Sequence, residues 1–167
     1  MNGTTTVFGS LARYAKGRVD VIDDDPKNYV FSNIFEVASR AVPYERVAVA
    51  KNFEYVIEAV RAEGASAWYA AAHDEFALVL DGQVTIELVE LARPGEAPAA
   101  GSEGARKLAG PVEGRAMGRV RARRGHMTLL PRGAAYRFSS EGPGVLIVQT
   151  LCGPETVEKW AEICQVA

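Results

Sequence analysis

Short runs of β-branched and aromatic residues alternate with turn residues along most of the chain. Between residues 18 and 90 these runs are RVDVI, VFSNIFEVA, ERVAVA, FEYVIEAVRAE, SAWYAAA and FALVLDGQVTIELVEL. Such runs are typical of β-strands. The run at residues 53–61 could also be helical, but its composition favours a strand on which Glu54 and Glu58 face outward. The same pattern returns between residues 119 and 151, so the sequence predicts an all-β fold.

Turn residues indicate how these strands are arranged. The pair Asp81-Gly82 lies between two apolar runs and predicts a tight hairpin, because both central residues of a type I′ turn need positive φ. About eight to ten short strands in one chain suggest a jelly roll or barrel, which covers its own sheet edges. We predict a single domain, residues 1–167, with its core at about residues 18–151.

Two segments depart from the strand pattern. Residues 92–118 are rich in Pro, Gly, Ala and Glu and show no apolar period. This composition predicts an exposed loop inserted between strands. Residues 154–165 place Val157, Trp160 and Cys164 at helical spacing, which predicts a short C-terminal helix that packs Trp160 onto the barrel.

Composition and charge exclude several classes of function. The 167 residues contain 19 Lys and Arg against 21 Asp and Glu, so the chain lacks the basic balance of a nucleic-acid-binding domain. Charged residues or Gly interrupt the apolar runs well short of the ~18 residues that a membrane span needs, and no signal-peptide pattern is present. Cys152 and Cys164 lie far from any zinc-site spacing. We predict a cytoplasmic protein without nucleic-acid or membrane partners. With only two histidines, sites built from three or four imidazoles are excluded.

Two segments, HDEFALVLDG and GHMTLLPRGAAY, resemble the two sequence motifs of the cupin superfamily. The first, HDEFALVLDG, places Glu75 and Gly82 at the spacing of the first cupin motif. The second, GHMTLLPRGAAY, matches the Gly, Pro and Gly positions of the second motif and has Tyr136 where the family has a histidine. The resemblance implies a double-stranded β-helix, or jelly-roll barrel. It also implies a divalent metal, Fe, Mn, Zn or Ni. The set of histidine ligands that the two motifs usually provide is incomplete in this sequence.

The candidate metal ligands and catalytic residues are His73, Glu75 and Tyr136. His73 and Glu75 are two residues apart, so on a strand they would point to the same face. If that face is the lumen, imidazole, carboxylate and phenol oxygen could together hold a divalent metal. Without a metal, His73 and Glu75 could act as a general base and its orienting partner. A purely structural interpretation stands beside these: His73 closes a turn, Glu75 pairs with an arginine, and Tyr136 fills the core.

Three further residues are candidates for substrate binding. Gln149 is a polar residue in the otherwise apolar start of the strand VLIVQT, from which it could reach the lumen. Tyr55 and Trp68 would line or seal an apolar pocket. The alternative is that Gln149 bonds to backbone at a strand end and that both aromatic residues belong to the core.

Arginines alternate along residues 119–124 without interleaved aromatic residues. This pattern favours a solvated or dimer-facing strand over a nucleic-acid surface, and we predict a homodimer.

The cupin resemblance implies a protein that acts on a small molecule inside its barrel. The enzymatic hypothesis is a metal-dependent oxygenase, decarboxylase or isomerase, of which the resemblance favours a dioxygenase-like enzyme for a small aromatic or carboxylic substrate. The alternative hypothesis is a binding or regulatory cupin that has lost its metal, for which Tyr136 and the missing histidines speak. A sugar-nucleotide isomerase of similar fold is a third possibility, but it would need a His/Asp dyad and a basic pocket.

Overall fold

The computed structural model describes residues 8–25 and 32–164. These residues form two α-helices, ten β-strands and a short 3-10 helix at Pro94–Glu96. The elements are α1 (Ile34–Arg40), β1 (Arg46–Asn52), β2 (Tyr55–Ala65), β3 (Tyr69–Ala71), β4 (Glu75–Asp81), β5 (Gln83–Leu91), β6 (Ala105–Lys107), β7 (Gly114–Arg123), β8 (Met127–Leu130), β9 (Ala134–Leu151), β10 (Thr156–Val157) and α2 (Trp160–Ile163). The all-β prediction is confirmed.

The strands form two sheets that share the long strand β9. The second half of β9 pairs with β2 and β4, which gives a first sheet in the order β10-β1-β2-β9-β4-β8. The first half of β9 pairs with β5 and β3, which gives a second sheet in the order β6-β3-β9-β5-β7. The side chains that these sheets turn toward each other form the lumen of the barrel.

The turn at Asp81-Gly82 is a corner between the two sheets, so the predicted hairpin is wrong. Strand β4 pairs with β8 and β9, whereas β5 pairs with β7 and β9. Gly82 has a φ of +74°, and a Cβ there would lie 2.9 Å from the Cα of Gly144 on β9. The glycine is therefore needed for a close approach of two backbones, which allows the chain to cross from one sheet to the other.

Residues 92–118 are not one loop, because they include β6 and the first residues of β7. Their backbones pair with β3 and β5, and their side chains add ion pairs such as Arg115 to Glu90 at 2.6 Å. Exposed, charged edge strands carry no apolar period, so their sequence resembles that of a loop.

The C-terminal segment is also less helical than predicted. Helix α2 has only four residues, and Thr156 and Val157 form β10, parallel to β1. The hydroxyl of Thr156 donates a hydrogen bond to Glu58 on β2, which holds this segment in an extended conformation. Ile163, rather than Trp160, packs with the apolar cluster under α1.

Helix α1 covers part of the outer side of the first sheet. Asn33 caps it by accepting hydrogen bonds from the N–H groups of Phe35 and Glu36. Its Val37 packs with Val47 and with other apolar residues of β1 and β2. In the part of the chain that the structure describes, no helix has the length and apolar character of a membrane span.

Candidate functional site: a buried ionic cluster in the barrel

Four polar side chains from four strands meet in the lumen. Arg46 begins β1, Glu58 lies in β2, Glu75 begins β4, and Tyr136 lies in the first half of β9. Their exposed fractions are 4%, 1%, 0% and 1%. We call these four residues the lumen cluster.

Glu58 was predicted to face outward, and this is wrong. It has the same strand parity as Val56 and Val60, which are both buried in the barrel. Its charge suggested an exposed position, but the apolar residues on either side of it at a spacing of two set its direction. Glu54, in contrast, lies in the exposed turn before β2.

Hydrogen bonds connect all members of the lumen cluster. Arg46 donates from Nε to Glu58 Oε2 at 2.5 Å and from Nη2 to Glu75 Oε1 at 3.1 Å. Its Nη1 donates to the Tyr136 hydroxyl at 3.0 Å, and that hydroxyl donates to Glu75 Oε2 at 2.5 Å. Thr156 donates to the remaining Glu58 oxygen at 2.6 Å. Each carboxylate oxygen therefore has a donor, as burial requires.

Burial and charge act in opposite directions on the protonation of this cluster. Burial raises the pKa of Glu58, and this effect outweighs the lowering by Arg46 and Thr156. Burial also raises the pKa of the Tyr136 hydroxyl well above its usual value, so this group remains a donor. For Arg46, burial alone would lower the pKa, but Tyr136, Glu58 and Glu75 together raise it. A permanent guanidinium cation thus lies between the two carboxyl groups.

The lumen cluster does not fit a divalent metal. A metal would have to compete with Arg46, Tyr136 and Thr156, which already donate hydrogen bonds to the oxygens of Glu58 and Glu75. The guanidinium of Arg46 also brings a positive charge to the centre of the same space. Among the described residues, no group of three or more His, Cys, Asp or Glu side chains could hold a metal ion.

The structure brings Glu75 and Tyr136 together, but His73 has other partners. His73 lies in a bend before β4, so the alternation of a strand does not apply to it. Its Nε2 is 2.9 Å from the Thr150 hydroxyl and accepts the Leu151 N–H at 3.3 Å. The geometry thus resembles the structural interpretation: a histidine at a turn and a glutamate paired with an arginine.

The three candidate substrate-binding residues lie away from the lumen cluster. Tyr55 is 61% exposed in β2, and Gln149 is exposed on the outer side of β9. Trp68 is partly buried, with the guanidinium of Arg137 over its ring at 4.8 Å from the centroid. Strand β9 points Val148 and Thr150 inward, so the intervening Gln149 faces outward.

Arg46, the centre of the cluster, is not among the residues predicted from the sequence. The available signal was a charged residue at the start of the apolar run RVAVA, on the same parity as the buried Ala48. That signal does not identify the partners of Arg46, which lie 12, 29 and 90 residues away along the chain.

Comparison with solved structures identifies the class of protein. The chain is similar to hydroquinone 1,2-dioxygenase from Sphingomonas sp. TTNP3 with 4-hydroxybenzoate bound, at 56% identity over 98% of this chain and 99% of that chain, with a TM-score of 0.94. It is also similar to hydroquinone 1,2-dioxygenase PnpCD in complex with Cd²⁺ and 4-hydroxybenzonitrile, at 50% identity over 99% of both chains, with a TM-score of 0.90. No family model and no curated protein sequence matches the chain.

The barrel is a cupin jelly roll, so the resemblance noted in the two motifs and the predicted fold are confirmed. More particularly, the chain belongs to the hydroquinone 1,2-dioxygenase family. The predicted oxygenase function, small aromatic ligands and metal cofactor are confirmed for the family, whose solved structures include complexes with Cd²⁺ and with Fe³⁺.

A second kind of chain carries the same enzyme name. In the PnpCD structure with Fe³⁺, this chain aligns at a TM-score of 0.63 and 12% identity over 84% of its own length, but over only 38% of the other chain. This likeness shows a shared fold alone. PnpCD thus contains a short chain that matches this protein from end to end and a chain more than twice as long that includes a similar barrel.

Proposed function

We propose that this protein is the shorter subunit of a hydroquinone 1,2-dioxygenase that acts on small phenols. The observation that carries this proposal is the match to the short PnpCD chain over 99% of both chains, at 50% identity. The enzyme name implies that both atoms of dioxygen are added to hydroquinone. When a metal is bound in such an enzyme, it supplies the activation of dioxygen.

We further propose that the metal of the assembled enzyme is held by the longer chain. This division is supported by the chemistry of the lumen cluster, in which Arg46 and Tyr136 occupy the oxygens of Glu75. This division reconciles the two hypotheses from the sequence, a dioxygenase and a cupin without its metal. The enzyme is a dioxygenase, and this subunit contributes a barrel without metal ligands.

We also propose a partner, a domain organisation and a cellular location for this protein. A subunit of this kind binds the longer chain, in place of the simple homodimer predicted from the sequence. We retain the single domain of residues 1–167 and the predicted cytoplasmic location as parts of the proposal. The unbridged Cys152 and Cys164 are consistent with a reducing compartment.

The proposal is tested by reconstitution with the longer chain of PnpCD. This protein, purified alone, is expected to contain well under one equivalent of iron and to show no hydroquinone-dependent oxygen uptake. The two chains co-expressed are expected to co-purify, to contain iron and to consume oxygen with hydroquinone.

Glu75→Gln is the matched variant for the metal assignment. Its iron content after co-expression should equal that of the wild type, provided that both preparations are folded. Stoichiometric iron in the isolated protein that Glu75→Gln removes would overturn the proposed division. Failure of the wild-type chains to co-purify would overturn the subunit assignment.

A further inference from the structure

The outer side of the first sheet carries an apolar surface that the described chain leaves uncovered. Phe76 is 41% exposed, Leu129 is 45% exposed and Met127 is 64% exposed. We call this surface the bare face. It is formed by Tyr55 and Ile57 of β2, Ile147 and Gln149 of β9, Phe76 and Leu78 of β4, and Met127 and Leu129 of β8.

Strand register makes the bare face continuous. Ile57 pairs with Gln149, Gln149 with Phe76, and Phe76 with Leu129, so one row crosses four neighbouring strands. A second row, through Ile147, Leu78 and Met127, lies next to it. Side chains that are directly opposite on one face lie within contact distance of each other. These residues therefore form one patch rather than scattered apolar positions.

The rest of the outer surface of the barrel is either covered by a helix or carries charged side chains. Helix α1 covers the neighbouring part of the first sheet, where Val37 packs on Val47 and Ala59. The outer side of the second sheet carries ion pairs, such as Glu87 with Arg119 at 3.2 Å. Of the nine large apolar side chains that are exposed among the described residues, four lie on the bare face: Tyr55, Phe76, Met127 and Leu129.

We propose that the bare face is the surface on which the longer chain of the enzyme packs. The inference rests on the proposed function, which requires that the two chains meet. The occupant is the longer chain rather than a second copy. Among the described residues, no group of side chains in the lumen could hold a metal ion, and the solved enzyme of this name includes both a short and a long chain. A sheet face with an in-register apolar patch suits packing against a structured apolar surface, and the longer chain contains a barrel of similar fold.

The composition of the bare face fits this role. The cores of protein interfaces are enriched in Phe, Tyr and Met and depleted of charge, and all three residue types occur here. Gln149, in the middle of the first row, offers an amide that can donate and accept hydrogen bonds with a partner. A contiguous apolar patch of this kind marks an interaction site.

The test uses the matched variants Leu129→Asp and Met117→Asp. Leu129 and Met117 are both 45% exposed on strands, but Met117 lies in β7 of the second sheet. Binding to the longer chain of PnpCD is measured by titration of the separately purified chains. Leu129→Asp should raise the Kd by about tenfold or more, equivalent to ~1.4 kcal/mol, whereas Met117→Asp should leave it unchanged.

A milder substitution, Leu129→Ser, keeps the test decisive if Leu129→Asp does not fold. Unchanged binding by a folded Leu129 variant would overturn the bare face as the docking surface while the subunit assignment stands. A wild-type chain that does not bind the longer chain would overturn both. If the isolated protein is a dimer that Leu129→Asp dissociates without changing binding to the longer chain, the face is a self-contact and the inference is wrong.

Discussion

The two sheets of the barrel differ in where they place charged side chains. The first sheet places Arg46, Glu58 and Glu75 inside, and Phe76 next to them outside. The second sheet has mainly apolar side chains inside, apart from the hydroxyl of Tyr136, and ion pairs outside. Its inner residues include Val84, Ile86 and Ala122, and its outer ion pairs join Glu87 to Arg119 and Arg137. The second sheet follows the usual pattern of a protein in water, whereas the first sheet departs from it at the lumen cluster and at the bare face.

The comparison shows what each arrangement requires. Charged groups inside the first sheet are tolerated because each oxygen of Glu58 and Glu75 accepts a hydrogen bond, so neither carboxyl group is buried without partners. Apolar residues on its outer side require a partner surface to leave water. The outer ion pairs of the second sheet need neither, because water solvates them. The first sheet therefore depends on hydrogen bonds to its buried carboxyl groups and on a partner for its apolar outer side.

The largest effect is expected from Arg46→Met, which tests the charges inside the first sheet. It would leave two buried carboxyl groups without their cation, and breaking a buried ion pair in this way costs about 3–5 kcal/mol. Urea unfolding should show this loss in the free energy of unfolding. A loss below about 1 kcal/mol, the scale of exposed pairs, would mean that the lumen cluster does not differ energetically from the outer ion pairs.

Local patterns allowed the strands to be predicted, but not the pairing of distant residues. The β-branched runs and the cupin spacing of Glu75 and Gly82 indicated an all-β jelly roll, because both depend on residues close together in sequence. The positive φ of Gly82 was also foreseeable, whereas the choice of sheet for the next strand was not. Glu58 was misplaced because its charge suggested an exposed position, and Arg46, the partner that makes its burial tolerable, is identified only by the folded arrangement.

The candidate site was likewise predicted only as far as local sequence patterns allowed. Glu75 and Tyr136 were selected because they lie on motif positions that converge in a barrel, and the structure places them in contact. His73 was selected by assuming that β4 begins two residues earlier than it does. One bend at the start of a strand thus separates a predicted ligand from its predicted neighbours.

A smaller loss is expected from Tyr136→Phe. The substitution removes a hydroxyl that accepts from Arg46 and donates to Glu75, and an incompletely satisfied buried polar group costs about 1–3 kcal/mol. The loss should appear in urea unfolding. The iron content of the assembled enzyme should not change. Loss of iron from folded Tyr136→Phe would instead support the prediction from sequence that Tyr136 is a metal ligand.

The two sheets should also differ in the sign of their pH dependence. Burial raises the pKa of Glu58, so the folded chain holds this proton more tightly than the unfolded chain, whose carboxyl pKa is near 4.5. The contribution of Glu58 is fully present below that value and decreases as the pH rises through the folded pKa. The free energy of unfolding of the wild type minus that of Glu58→Gln should therefore decrease from acid to neutral pH.

Glu87 on the second sheet provides the opposite case. A hydrogen bond from Arg137 lowers the pKa of Glu87, so its contribution is present above 4.5 and is lost as the pH falls through the folded pKa. The free energy of unfolding of the wild type minus that of Glu87→Gln should therefore increase from acid to neutral pH. Urea unfolding of both variants over this range measures the two slopes, and slopes of the same sign would refute the difference between the sheets.

The smallest effect is expected from Arg119→Met, the counterpart of Arg46→Met on the second sheet. Arg119 is 56% exposed on its side chain and shares Glu87 with Arg137, so the carboxylate keeps one cation after the substitution. Water also solvates both groups when they separate, and exposed pairs of this kind contribute about 0–1 kcal/mol. Urea unfolding at low and high salt should show a loss within that range, which salt reduces further. A loss as large as that of Arg46→Met would mean that position inside or outside the barrel does not determine what an ion pair contributes to this fold.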